Sequence, residues 1–406
     1  MATAKAVTLI KTPAMRWTLM YYLLFICLGL SIGLVGPTLP SLADQTQTRV
    51  GQLGALFLAS SFGGLLGTLL GSRLFDRVRG HPALGIAQLS SAALIALYPV
   101  IPSVWILLVV VIGKGVMDGF INTGANTLLV WTHKDKSSPY MNGLHFCFGL
   151  GAFLAPFLVA QLLTISGGYR WAYWALAALA GLVGLGMLLL KKSPPHAHTA
   201  STVTETTRLN YPLIISAMLF LFFYVGAELA FAGWIYTYTF TLNLADATMA
   251  AYLTSGFWLT FTLGRLISIP LATRFKPQQL IAAALSGCLV VLGAALLLPR
   301  SSTLVWILAA ALGICMAPIW PSGFTLAGQS LKLTARVSGI ILLGDSLGGM
   351  ILPWLVGQVL DSVGPQSLMV LVFTSLMFNL AAFIAILRLR QTAPAAATVD
   401  ATALHE

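Results

Sequence analysis

Lys114, Asp118, Asn122 and Asn126 recur every four residues in this 406-residue chain. At that spacing a cation, a carboxylate and two amides lie along one gently winding face of a helix. Such a face can hold a coupling ion or proton and hydrogen-bond the hydroxyls of a solute. It can also close on itself, with Lys114 paired to Asp118 and the asparagines bridging neighbouring helices. Asn142 and His145, three residues apart, offer a second polar face on which His145 can coordinate a hydroxyl, relay a proton or complete an interhelical hydrogen bond. Glu228 follows Tyr224 by one turn and is flanked by Gly226 and Gly233. Arg265 and Asp345 complete the set of isolated charges.

The elements that carry these groups are apolar. The chain is 58% hydrophobic and only 8% charged, with mean hydropathy +0.90, far from a soluble domain in which about a quarter of residues are charged. A bilayer core of about 30 Å takes roughly 20 apolar residues per helix. Apolar runs fall at about 16–40, 50–72, 82–101, 103–130, 139–163, 170–190, 211–240, 247–272, 278–298, 302–327, 335–360 and 364–388. Twelve transmembrane helices are expected, with no extramembrane catalytic domain. The run after Arg16 has no small-residue cleavage site and reads as an uncleaved first span.

The net charge of +11 belongs to the membrane and not to nucleic acid. Seventeen of the 22 basic residues sit on alternate loops, three (Arg49, Arg170, Arg300) on the opposite loops, and Lys114 and Arg265 within spans. That bias predicts cytoplasmic termini. Cys27, Cys147, Cys288 and Cys315 all lie in apolar runs at no metal-ligand spacing, so no disulfide, metal site or cofactor is expected.

A shift of 197 places Leu66-Gly67, Leu69, Leu74 and Arg77 on Leu263-Gly264, Leu266, Leu271 and Arg274, and Leu150-Gly151, Pro156 and Gln161 on Leu347-Gly348, Pro353 and Gln358. The chain is therefore expected to form two pseudo-symmetric six-helix bundles, 1–190 and 211–390, joined by a linker at 191–210 and followed by a tail at 391–406. At this shift the Lys114 to Asn126 stripe meets Ala311, Cys315, Ile319 and Gly323, so one half folds without it.

Gly71-Ser-Arg-Leu-Phe-Asp-Arg-Val-Arg-Gly-His81 resembles the loop between helices two and three of the major facilitator superfamily, with Asp76-Arg77 at its core. Gly36-Pro-Thr-Leu-Pro40, Asp118-Gly119 with Asn122 and Asn126, Asn142-Gly-Leu-His-Phe146 and Tyr224-Val-Gly-Ala-Glu228 with Gly233-Trp234 resemble its sodium-dependent glucose transporter and fucose permease group. The first helix lacks the acidic residue that fucose permeases carry there.

That resemblance implies a secondary active transporter of a small hydroxylated solute, a monosaccharide, moved by cation symport and alternating access. Implied substrate ligands are Asn122, Asn126, Asn142, His145, Glu228, Trp234, Tyr236 and Trp320. A bend in helix seven at its glycines would aim Trp234, Tyr236 or Tyr238 at the solute, although an outer aromatic belt accounts equally for the tyrosines, and helix packing for Trp320. Asp118, Glu228 and Lys114 are the ion-coupling candidates. Lys114 keeps Asp118 ionised, as suits Na+, whereas Glu228 has no cation on its own turns, as suits H+. Asp76, Arg77, Arg265 and Asp345 are expected in gating, the last two first as structural partners at the bundle interface. The implied setting is a bacterial inner membrane, with the chain a monomer in the bilayer.

Gly151-Ala-Phe-Leu-Ala-Pro156 partly resembles the helix-five signature of proton-coupled antiporters, which keeps a drug or amphiphile exporter as the rival. Gly344-Asp-Ser-Leu-Gly348 fits the Gly-x-Ser-x-Gly elbow of hydrolases, but that chemistry needs a strand-turn-helix context absent from an apolar span. No Walker A sequence occurs, which excludes ATP-driven transport by this chain alone. No enzyme activity is expected.

Overall fold

The computed structural model describes residues 12–75, 77–166, 168–190, 192–194, 210–298, 301–331 and 335–391. Asp76 and most of the expected linker and tail lie outside the described residues. The first half contains α1 (Pro13–Thr46), α2 (Ala55–Leu74), α3 (Gly80–Leu97), α4 (Val104–His133), α5 (Ser137–Ser166) and α6 (Arg170–Leu188). The second contains α7 (Tyr211–Thr241), α8 (Ala247–Arg274), α9 (Pro277–Leu297), α10 (Ser302–Met316), α11 (Ile319–Ser330), α12 (Ala335–Val363) and α13 (Ser367–Gln391). The tenth expected span is thus a broken helix, α10 and α11. Pro318 and Pro321 supply no N–H to a helical ladder, and the chain turns at Ala317-Pro318.

Helix starts follow local chemistry. Thr12, Asn210, Asp246 and Ser301 each accept a backbone N–H three residues on, at 3.4, 3.3, 2.8 and 3.1 Å. Pro13 and Pro212 occupy first-turn positions where no N–H is required. Among the described residues eleven spans are long and apolar enough to cross a bilayer. The other, α8, has the length at 28 residues, but its threonines and Arg265 lower its hydropathy. A helix of this kind reaches membrane depth because its polar face is covered by protein or lines a cavity.

The pairing of helices repeats between the halves. In the first half α1 packs on α4, α5 and α6, α2 on α4, and α3 on α4 and α6. In the second α7 packs on α11, α12 and α13, α8 on α10, and α9 on α10 and α13. Gly151 and its repeat partner Gly348 show what the shift of 197 preserves. A Cβ on Gly151 would run into the Ile26 carbonyl of α1, and one on Gly348 into the Phe222 carbonyl of α7. Gly344 meets the Met218 carbonyl in the same way, so the glycines of the hydrolase-like motif serve helix packing.

The bundles converge at one end. There the short 3-10 segment Val50–Gly54 packs on α12, and the Gly51 N–H donates to Asp361 Oδ1 at 3.1 Å. Gly51 and Gly357 approach so closely that a Cβ on either would strike the other's carbonyl. Farther along, Gln161 Nε2 donates to Tyr252 Oη at 2.6 Å and Ser255 Oγ to the Phe153 carbonyl at 2.7 Å, joining α5 to α8. Toward the opposite end, which carries Arg274 and Lys276, α5 and α8 separate and a cavity opens between them.

Candidate functional site: the cavity between the bundles

The cavity holds about 660 Å³ and its mouth lies at the basic end, beside Ser138, Phe275 and Pro277. Asn142 and His145 line it from α5, Arg265 from α8 and Trp320 from α11. Four sequence candidates from three helices therefore meet in one space. The His145 ring sits edge-on to Phe25, with centroids 5.8 Å apart. Trp320 stacks on Phe324 at 5.5 Å and donates its indole N–H to Asp345 Oδ1 at 2.9 Å. Asp345 thus fixes the indole that faces the cavity. The Arg265 guanidinium lies 4.6 Å from the Phe261 ring centroid, and its Nε has no hydrogen-bond partner.

Glu228 is buried on α7, within electrostatic reach of Arg265 and Asp345. Its neighbour Tyr224 donates to the carbonyl of Met316, the last residue of α10, at 2.8 Å. The break in span ten frees that carbonyl, and the tyrosine ties the break to the helix that bears Glu228. Arg265 and Asp345 form no ion pair with each other. The ion pair found among the described residues is Lys114 with Asp118, one turn apart on α4, the side chains being 5% and 17% exposed. Asp118 Oδ1 remains buried without a hydrogen-bond partner. Asn126 Nδ2 donates to both the backbone carbonyl and Oδ1 of Asn122 at 2.8 Å. Neither asparagine lines the large cavity.

Helix seven is unbroken at its glycines, α7 running continuously from Tyr211 to Thr241. Gly226 admits Leu352 and Gly233 admits Phe57, so these glycines allow close approach of neighbours. Trp234 is fully buried and donates its indole N–H to the Pro353 carbonyl at 2.8 Å. Tyr236 is buried and stacks on Phe240 at 5.9 Å, and Tyr238 is buried as well. None of the three lines the large cavity. Arg77 lies in the loop after α2, away from both cavities, and the fully buried His81 of the same loop motif hydrogen-bonds Tyr21 Oη at 2.7 Å.

A second, smaller cavity of about 110 Å³ lies at the level of Lys114 and includes Ser31, Ser60, Ser61 and Trp258. The sequence reading did not single these out; hydroxyls inside apolar runs, above all the Ser60-Ser61 pair, were the available signal. Among the described residues no three His, Cys, Asp or Glu side chains gather as metal ligands.

The chain is 29% identical over 400 residues to sodium-dependent glucose transporter 1A of Mus musculus, covering 88% of this chain and 94% of that protein. It is 30% identical over 358 residues to sodium-dependent glucose transporter 1 of Xenopus laevis, covering 81% of this chain and 73% of that protein. Its fold superposes on a crystal structure of a D-xylose-proton symporter with a TM-score of 0.74 at 15% identity, covering 91% and 95% of the two chains. With the Major Facilitator Superfamily model matching residues 21–353, two bundles that repeat one packing plan and a cavity between them, this chain belongs to the Major Facilitator Superfamily and is a multi-pass membrane transporter, not an enzyme.

Proposed function

We propose that the transported solute is a monosaccharide, carried by cation-coupled symport across a bacterial inner membrane, with the basic end and both termini in the cytoplasm. The observation that carries this reading is the interbundle cavity, shut at one end and open at the basic end, whose wall combines Asn142 and His145 with the ring of Trp320. Amide and imidazole groups match sugar hydroxyls, and an indole face suits the C–H face of a pyranose. The names of the relatives in mouse and frog support the same substrate class.

In this scheme the bundles rock about their contacts. Val50–Gly54 and α12 part to admit solute, and α5 and α8 close over the present opening. Glu228 is assigned to the proton, because it is buried on a helix that touches both bundles and lies beside the span-ten break. Asp118 is the alternative, taking Na+ through its unpartnered Oδ1. The test is uptake by reconstituted proteoliposomes across a panel of hexoses and pentoses, with sodium and pH gradients imposed separately. Saturable uptake with counterflow, driven by one of the two gradients, is the expected result. Efflux of dyes or amphiphiles with no sugar counterflow would replace this reading with an exporter.

A further inference from the structure

Among the described residues that line the open cavity, Arg265 is the one lysine or arginine, and none is an aspartate or glutamate. The guanidinium carbon sits over the Phe261 ring, 4.6 Å from its centroid, a contact that uses none of its N–H donors. No carboxylate of the described residues is within ion-pairing distance, and Nε is unpartnered. The charged and titratable groups close enough to act on Arg265 are Glu228 and Tyr224 of α7, Asp345 of α12 and His145 of α5. Asp345 Oδ1 is engaged by the Trp320 indole, and Glu228 sits behind the wall on α7. Neither carboxylate touches the guanidinium, so a ligand that brings acceptor oxygens into direct contact with it is favoured over a neutral ligand of the same shape.

We infer that Arg265 is an anion-recognition group and that the cavity takes a monosaccharide bearing one carboxylate, a sugar acid. This deepens the monosaccharide reading and rests on it. The carboxylate would sit against the guanidinium edge, where two parallel N–H donors meet two oxygens. The sugar ring would then reach Asn142 and His145 on α5, with Trp320 beside its apolar face. A sugar phosphate carries close to two charges, and among the described residues this wall has a counter-charge for only one.

The experiment uses the full chain in proteoliposomes, with labelled glucose and labelled glucuronate in counterflow, and glucose, glucuronate, gluconate, glucose 6-phosphate and lactate as competitors. Glucuronate is expected to compete at a concentration at least tenfold lower than glucose, with glucose 6-phosphate and lactate both weaker. Arg265→Gln is expected to weaken glucuronate at least tenfold more than it weakens glucose, and Arg265→Lys less, because an ammonium lacks the bidentate edge. Ligand-induced thermal stabilisation of the purified variants gives the same comparison without requiring transport. Glucose counterflow with inert glucuronate overturns the inference and leaves the monosaccharide reading intact. Equal weakening of both sugars by Arg265→Gln overturns the inference too, and assigns Arg265 a structural role. If neither sugar exchanges or stabilises the protein, both the monosaccharide reading and the inference fail.

Discussion

In the N-terminal half Lys114 and Asp118 neutralise each other one turn apart on a single helix, whereas in the C-terminal half Glu228, Arg265 and Asp345 sit on three helices and form no ion pair. The shift of 197 sharpens the contrast. Lys114 and Asp118 map to Ala311 and Cys315, while Glu228, Arg265 and Asp345 map to Ser31, Thr68 and Phe148. Each half carries its charges where the other has none. A pair within one helix keeps its geometry whatever the bundles do. Charges spread over α7, α8 and α12, each of which touches the opposite bundle, are displaced when the interface rearranges. On the proposed reading, Glu228 and Arg265 bring coupling and the charged contact with solute to the C-terminal half, the N-terminal half adds Asn142 and His145 to the cavity wall, and Lys114 with Asp118 is a structural pair.

The largest expected effect tests the closed pair. Lys114→Met leaves the Asp118 carboxylate without its partner, and breaking a buried pair costs about 3 to 5 kcal/mol. Thermal unfolding in detergent should show this single variant far less stable than the double variant Lys114→Met/Asp118→Leu. Arg265→Met breaks no ion pair and should unfold close to wild type. If it proves as damaging as Lys114→Met, the contrast between the halves is wrong.

Next in size is loss of coupling. Glu228→Gln fixes a neutral side chain, so solute should exchange across the membrane without proton-driven accumulation. The sign follows from the direction of transport: the carboxyl takes its proton on the more acidic side and gives it up on the other. Counterflow should persist while accumulation under an imposed pH gradient disappears. Should wild-type uptake require sodium and ignore pH, Asp118→Asn would be the variant that loses accumulation, and coupling would move to the N-terminal half.

A smaller effect is expected at the shut end. Gly357→Ala drives a methyl into the Gly51 carbonyl of the opposite bundle, which strains the contact that holds this end closed. Alkylation of a cysteine placed at Gln358 should become faster from that side. Asp361→Ala removes one hydrogen bond, worth about 0.5 to 1.5 kcal/mol, and should shift labelling less.

Much of this architecture was legible because the bilayer imposes length and apolarity, and because the repeat at 197 specifies which helices correspond. The Lys114–Asp118 pair was legible as one of two readings of the stripe, since residues four apart on a helix are neighbours. The Trp320–Asp345 bond was not, because it joins residues 25 apart and depends on the rotation of two helices. The glycines of α7 were ambiguous in principle. The absence of a side chain permits a bend or a close neighbour, and only the packed structure shows the neighbours, Leu352 and Phe57. Span ten breaks at Pro318, a consequence that sequence periodicity does not reveal.

The smallest expected effect concerns the lower part of the α4 stripe. Asn126 spends its amide donor on two acceptors of Asn122, which leaves the Asn122 amide N–H groups and Asn126 Oδ1 as the polar groups available to a solute hydroxyl. Neither residue reaches the large cavity while it is open at the basic end, so contact with solute requires the bundles to close. Asn122→Ala should then raise the KM for the transported sugar about two- to tenfold, the value of one neutral hydrogen bond. Asn126→Ala should act less, because Asn122 keeps its donors, and the double variant should be little worse than Asn122→Ala alone. Strictly additive effects on KM would mean that each asparagine meets the solute independently. Unchanged KM in all three variants would assign the pair to helix packing and leave the N-terminal half without a solute ligand on α4.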